Sequence, residues 1–359
     1  MKKICFIAQF PPPIHGLSKA VQTLFDSKLD SSIVFEKIDI KNNKKFLVSM
    51  IKILKSKADL FYFTISQTPG GNIRDLIILK LISMKKKNYI IHLHGGNYFR
   101  KMIDKEIPVW QKKMNYNLIS RAKKVIVLSE SLIPTFKGII DNSKISVVPN
   151  CIDNNFLLSQ EDFKTKNNNI DKKKIKNVLY LSNFIKEKGY QYVLQLAKIE
   201  KEEFEKTGIR KFTFDFAGKF FSEKEKREFF KYIDENNLNN YIIYHGIVDG
   251  NEKSKLLKQS DVMILLTTYF REGQPISIIE GMGNGLVIIA TNHTAIPDMI
   301  QNNVNGIIVD KNNIDVNDIY KKMLNIEYKT ISLNNYNECN KYSEEEYLNN
   351  CLSCFKECL

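Results

Sequence analysis

The stretch Arg271-Glu272-Gly273-Gln274-Pro275-Ile276-Ser277-Ile278-Ile279-Glu280-Gly281-Met282-Gly283-Asn284-Gly285, followed by the apolar run Leu286–Ala290, decides how this chain is built. It reads as a loop, a short helix and a buried strand, one crossover of a βαβ unit. Pro275 suits the first helical position, where a missing N–H costs no hydrogen bond. The loop Arg271–Gln274 then lies over a helix N-terminus, whose free N–H groups suit a phosphate or a sugar oxygen. Glu272 and Glu280 form an E-x7-E pair, with Glu280 in the second turn and directed back toward that end. Gly281, Gly283 and Gly285 leave the far end small-sided. Taken alone, the two carboxylates are equally well incidental to an ordinary crossover.

The same alternation extends to both sides. After Glu280 and before Arg271, strand-like runs fall at Val178–Leu181, Phe212–Ala217, Ile242–His245, Val262–Leu266 and Leu286–Ala290, with helices near 189–206 and 223–236. Nearer the N-terminus, runs at Ile4–Phe10, Leu60–Ile65, Tyr89–His94, Val125–Ser129 and Ile145–Val148 alternate with helical stretches. Continuous apolar runs of this kind are expected of parallel strands covered on both faces. Phe46, Leu47, Met50, Ile51 and Leu54 recur at helical spacing, with Lys44, Lys45, Lys52 and Lys55 opposite. Packing on the sheet with the lysines in water is the simplest reading, and a membrane-surface role is the alternative. The polar stretch Ser159–Asn177 reads as a linker. The expected fold class is α/β with two doubly wound domains, residues 1–165 and 166–340, and a C-terminal helix at 341–359 that packs back on the N-terminal domain.

Length and composition agree with this. A chain of 359 residues fits two domains of common size. No apolar run approaches the ~20 residues that span a bilayer. Lys2-Lys3 leads straight into a strand-like run, unlike a signal peptide, so a cytoplasmic protein is expected. Cys351, Cys354 and Cys358 fall at helical spacing beside Leu348 and Phe355 and read as a buried helix face rather than a metal site.

Charge is unevenly placed. Of 54 Lys and Arg, 27 lie up to Lys164, with 13 of the 40 Asp and Glu; the remainder balances at 27 of each. The whole net charge of +14 therefore belongs to the first half. Such a half is suited to an anionic partner: a phosphate-bearing acceptor, acidic lipid or nucleic acid. Nucleic acid should bring aromatic residues interleaved with basic ones or a recognisable motif, and neither is evident.

Further motifs stand in order around the E-x7-E pair: Val148-Pro149-Asn150-Cys151-Ile152-Asp153, Leu181-Ser182-Asn183-Phe184 with Glu187-Lys188-Gly189, Phe216-Ala217-Gly218, His245-Gly246, Ser260-Asp261-Val262 and Ala295-Ile296-Pro297-Asp298. Together they resemble the retaining glycosyltransferases of family 4, whose fold is GT-B, two Rossmann-like domains facing across a cleft. The resemblance covers most of the second domain and shorter pieces of the first. It implies that Glu280 holds the donor ribose, that Glu272 contacts hydroxyls of the transferred sugar, and that Lys188 is the cation for the donor diphosphate. It places Gly273, Gln274, Pro275 and Ile276 against the donor. The family's usual arginine aligns with Asn183, which donates hydrogen bonds but carries no charge.

In the first domain, Pro11-Pro12-Pro13-Ile14-His15-Gly16-Leu17-Ser18 corresponds to the family's glycine-bearing loop, with Gly16 near the donor phosphates and Ser18 placed to cap the next helix. His92-Leu93-His94-Gly95-Gly96 ends a strand. His92 and His94 share one face of it, which invites a metal reading, but no third ligand is evident. The resemblance implies instead that His94 contacts the sugar's hydroxymethyl group, while His92 reads as packing. No cofactor or metal is implied. The expected activity is metal-independent hexosyl transfer from a nucleotide sugar, UDP-linked by default, to a saccharide or lipid-linked acceptor at a peripheral anionic membrane. The composition and single-chain form associate it with bacterial surface polysaccharide such as capsule or O-antigen. The rival readings are a nucleotide-sugar epimerase or phosphorylase of the same fold, a basic nucleic-acid-binding protein, and a non-catalytic sugar-binding descendant.

Overall fold

The computed structural model describes residues 1–12, 16–27 and 30–359. The chain forms two compact units, Met1–Cys151 with Glu344–Leu359, and Ile152–Ser343. The division thus falls after Cys151, earlier than the boundary at 165 that the polar stretch suggested.

In the first unit the elements run β1 (Lys2–Ala8), α1 (Gly16–Asp26), β2 (Ile33–Asp39), α2 (Phe46–Lys55), β3 (Leu60–Thr64), α3 (Pro69–Met84), β4 (Asn88–His92), α4 (Tyr98–Lys101), α5 (Val109–Ser120), β5 (Lys124–Val127) and β6 (Ile145–Val147). The strands make one parallel sheet in the order β2-β1-β3-β4-β5-β6. All five residues of β3 are buried, as the unbroken run Leu-Phe-Tyr-Phe-Thr requires. β2 escapes a reading of apolar runs because it is an edge strand, where Glu36 and Lys37 reach water.

The second unit continues with α6 (Gln160–Asn169), β7 (Lys176–Leu181), α7 (Tyr190–Thr207), β8 (Phe212–Ala217), α8 (Glu223–Glu235), β9 (Ile242–Gly246), α9 (Gly250–Gln259), β10 (Val262–Leu265), α10 (Ile276–Gly283), β11 (Val287–Thr291), α11 (Ile296–Met299), β12 (Gly306–Val309), α12 (Val316–Leu324) and α13 (Tyr328–Glu338). Its parallel sheet has the order β12-β11-β10-β7-β8-β9. The order reverses between β7 and β10, and doubly wound sheets bind ligands beyond the strand ends at such a point.

Three expectations give way here. Ser159–Asn177 is not a linker. Ser159 Oγ accepts from the N–H of Asp162 at 3.1 Å and starts α6. The ring of Phe163 stacks on Tyr336 at 3.9 Å and anchors a helix in which Asn167 is also buried and Lys166 half-buried, while Lys164, Asn168 and Asn169 face water. Ser18 does not cap α1, because the helix already begins at Gly16 and Ser18 is buried within its first turn. Pro13, Ile14 and His15 lie outside the described residues. The third concerns α2, which buries Ser49 and Ile53 while Leu47, Val48, Ile51 and Leu54 face solvent. α2 packs on α3 and β2 through a narrow stripe. The Ser49 hydroxyl tolerates that contact by donating to the Lys45 carbonyl at 3.3 Å.

The last helix, α14 (Glu344–Cys358), belongs to the first unit. Phe355 packs edge-on to Phe6 and Tyr62 at 5.9 and 5.7 Å, and the Tyr347 hydroxyl donates to the Ala20 carbonyl at 3.1 Å. Cys351, Cys354 and Cys358 are buried on that same face.

Candidate active site

The site is assembled from the two loops that leave β7 and β10 where the sheet order reverses. After β7 the chain turns through Lys186–Lys188 and enters α7 at Gly189, which has φ +83°. A Cβ there would collide with the Leu266 carbonyl at the end of β10, so only glycine lets the two loops close up. The Thr268 N–H donates to the Glu187 carbonyl at 2.7 Å and ties them together. A second close approach, Gly218 against the Ser182 carbonyl, sets the loop after β8 beside Asn183.

This stitching carries Lys188 to Glu272. The ammonium pairs with Glu272 Oε2, and the Thr267 hydroxyl donates to the same oxygen at 3.2 Å. Lys188 Nζ also stands 5.1 Å from the centroid of the Tyr269 ring. The loop holding Glu272 is fixed from the turn after β11, where the Thr294 hydroxyl donates to the Gly273 carbonyl at 2.9 Å. Gly273, Gln274 and Pro275 are buried and Ile276 is half-buried. Pro275 sits one position before the expected one, with ψ 115°, so α10 begins at Ile276 and no side chain caps its first turn. The uncapped N–H groups of that turn lie next to the loop that carries Glu272.

Glu280 lies inside α10 and is 4% exposed. Its Oε1 accepts from Lys253 Nζ of α9 at 2.6 Å, and that ammonium also stands 4.2 Å from the centroid of Phe156. Burial pushes the Glu280 carboxyl above its ordinary range, and the Lys253 charge opposes the push. Gly281 and Gly283 serve packing: a Cβ would press on Ile288 at Gly281 and on Ile152 at Gly283.

Asn183 is exposed, and its backbone carbonyl accepts from the Tyr180 hydroxyl and the Ile185 N–H, both at 2.9 Å. A recess of about 690 Å³ lined by Lys166, Lys173 and Asp261 opens at the opposite, N-terminal ends of β7 and β10. Of its four lysines, Lys173 pairs with Asp261 and donates to the Gln259 carbonyl, Lys166 donates to the Asn284 carbonyl and Lys258 pairs with Asp162, while Lys172 is exposed.

His94 and Gly16 belong to the first unit, after β4 and at the start of α1. The His92 and His94 rings stack at 3.8 Å, and the Tyr62 hydroxyl bonds His92 Nδ1 at 2.7 Å and His94 Nε2 at 3.4 Å. Burial holds His92 well below its ordinary range, with His94 beside it adding to the effect. His92 is thus a neutral core residue, while His94 is partly exposed. Among the described residues no three His, Cys, Asp or Glu side chains gather as a metal site.

Sequence reading missed Lys253, Thr267 and Tyr269. Lys253 carries no local signal, since its partner lies in another helix. Thr267 and Tyr269 were findable as polar residues directly after the buried run Val262–Leu266.

A family model described as "Glycosyl transferases group 1" matches residues 160–346, more than half of the chain. The chain belongs to the group 1 glycosyl transferases. It is 28% identical over 273 residues to an uncharacterized 41.2 kDa protein in the cps region of Klebsiella pneumoniae, covering 74% of this chain and 69% of that protein. Among solved structures, Anabaena Alr3699/HepE in complex with UDP superposes with a TM-score of 0.74 at 15% identity, over 99% of this chain and all of that one. The same protein in complex with UDP-glucose gives 0.73. The lipopolysaccharide outer core galactosyltransferase WaaB in its apo form gives 0.64 at 15% identity, again over 99% and 100%. At these identities the likeness establishes the GT-B fold of the transferase.

Proposed function

We propose that this transferase is a retaining, metal-independent hexosyltransferase of family 4. In this reading it takes the sugar of a UDP-linked donor to a saccharide or lipid-linked acceptor of a bacterial surface polysaccharide. The observation that carries the reading is the meeting of Lys188 and Glu272 at the strand-order reversal, beside the uncapped start of α10. A cation and free backbone N–H groups there suit a diphosphate, and Glu272 is placed for the hydroxyls of the sugar attached to it.

In the proposed reaction the bond from the anomeric carbon to the diphosphate breaks, and a bond to the acceptor oxygen forms on the same face. The acceptor's proton passes to the departing phosphate oxygen. Lys188 balances the charge that grows on the diphosphate, where stabilisation acts on the transition state. Glu280 accepts from the ribose hydroxyls, and His94 contacts the transferred sugar. Asn183 adds hydrogen bonds without the charge an arginine would bring. The UDP and UDP-glucose bound to Alr3699/HepE support a uridine donor, and the cps-region relative supports a capsule acceptor.

The test is incorporation of labelled hexose from a panel of nucleotide sugars into the lipid-linked saccharide fraction of a capsulated bacterium, in excess EDTA. Transfer from a UDP-sugar, with the donor's anomeric configuration retained in the NMR spectrum of the product, is expected. Loss of transfer on chelation with rescue by manganese, or an inverted product, overturns it.

A further inference from the structure

We infer that the two-helix face of α2 and α3 is a docking surface for an anionic lipid bilayer. The inference starts from the orientation of α2. Leu47, Val48, Ile51 and Leu54 occupy one side of the helix and are 69%, 51%, 52% and 51% exposed, while Ser49 and Ile53 fill the buried side. A surface helix ordinarily turns its apolar stripe inward. Here the protein buries a serine and gives four aliphatic side chains to the outside, on a helix that already packs on α3 and β2. An exposed apolar stripe of this kind marks an interaction site.

The neighbouring helix extends the surface. Ile73, Ile77 and Met84 lie at helical spacing on the exposed side of α3. The Lys85 ammonium, just beyond α3, donates to the Leu54 carbonyl at 2.6 Å and joins the ends of the two helices.

Charge selects the occupant. Lys44, Lys45, Lys52 and Lys55 are exposed around the stripe, and no Asp or Glu occurs from Lys41 to Ala58. The one carboxylate of α3, Asp75, is buried and paired with Arg74. The face therefore combines exposed aliphatic groups with positive charge alone. Protein interfaces are depleted in lysine, and single-stranded nucleic acid is gripped by aromatic rings, which α2 does not expose. A bilayer with acidic headgroups answers both features. The aliphatic groups enter the headgroup boundary, and the long lysine stems let the ammonium groups stay at phosphate level. The inference deepens the reading of a lipid-linked acceptor, yet it is measured without donor or acceptor.

The test uses the full chain and vesicles of phosphatidylcholine with or without phosphatidylglycerol. Three proteins are compared: wild type, Leu47→Gln/Ile51→Gln/Leu54→Gln, and Lys44→Gln/Lys45→Gln/Lys52→Gln/Lys55→Gln. All substituted side chains are exposed and glutamine is a good helix former, so both variants should fold, which circular dichroism checks. The expected result is cosedimentation of wild type with the acidic vesicles only, released by salt, and at least tenfold weaker binding by each variant. The inference fails if wild type ignores acidic vesicles, or if the Leu47 variant binds as wild type does. It also fails if wild type is a dimer in solution that the Leu47 variant dissociates, because the face is then a contact between copies. Hydrolysis of the nucleotide sugar by the Leu47 variant, measured in parallel, separates loss of docking from an error in the proposed chemistry.

Discussion

Lys253 Nζ lies 2.6 Å from Glu280 Oε1, making a cation from α9 the direct partner of a carboxylate enclosed in α10. A carboxylate so enclosed stays ionised only while its partner is present. Lys253→Met should therefore push the Glu280 carboxyl further up, and leave the protein about 3–5 kcal/mol less stable at pH 8. The group's folded pKa is raised, so the stability it contributes is present at low pH and lost as pH rises through that pKa. Urea unfolding should accordingly show the Lys253→Met deficit shrinking as pH falls from 8 to 5. Adding Glu280→Gln should recover part of it at pH 8. A deficit that does not change with pH would show that Lys253 acts through packing on Phe156 instead.

The two glutamates should separate kinetically. Glu280, read as holding ribose, binds ground and transition states alike, whereas Glu272 meets the sugar as charge develops. Glu280→Gln should raise the donor KM and weaken bare UDP with little change in kcat. Glu272→Gln should lower kcat and leave bare UDP affinity nearly unchanged. Calorimetry with UDP and steady-state kinetics decide between them. If Glu272→Gln loses UDP as badly as Glu280→Gln does, the division of roles is wrong.

Lys188→Met should lower kcat by roughly 10²- to 10³-fold, the usual cost of removing one charge-stabilising donor. Because Asn183 is exposed beside the same loops, Asn183→Arg can restore a cation without disturbing the core. In the Lys188→Met background it should recover at least tenfold in kcat. No recovery would place residue 183 out of reach of the diphosphate.

Lys166 offers a test of the sheet's other end. Its ammonium donates to the Asn284 carbonyl at 2.9 Å, and burial, with Asp261 opposing, pulls its pKa down to about 7. A depressed folded pKa means that the unfolded chain binds the extra proton between pH 7 and the ordinary lysine value, so stability rises with pH there. Wild type should gain on Lys166→Met by up to about 1.4 kcal/mol per pH unit between 7.5 and 9. Parallel pH profiles of urea midpoints would refute the assignment.

Much of the second unit was legible because its evidence is local. Buried parallel strands such as Val287–Thr291 need unbroken apolar runs, and a helix that starts at a proline and ends among glycines declares both ends. The edge strands β2 and β12 were not legible. One exposes charged side chains, and the other, Gly306–Val309, is a short run set between polar, asparagine-rich stretches. The asparagine-rich α6 looked like a linker because its fixed point, Phe163 on Tyr336, joins residues far apart in the chain.

By itself the sequence determined the alternation of strands and helices, the uneven charge, and the residue types able to meet a diphosphate and a sugar, since these follow from neighbours along the chain. Only the tertiary structure decided who meets whom. The close approach of Gly189 to Leu266 sets Lys188 on Glu272, and the packing of α9 near α10 gives Glu280 its cation. The direction α2 faces was decided in the same way. Its periodicity fixed a stripe, but which side of the helix meets protein depends on the surfaces of α3 and β2, and these turned Leu47, Ile51 and Leu54 outward.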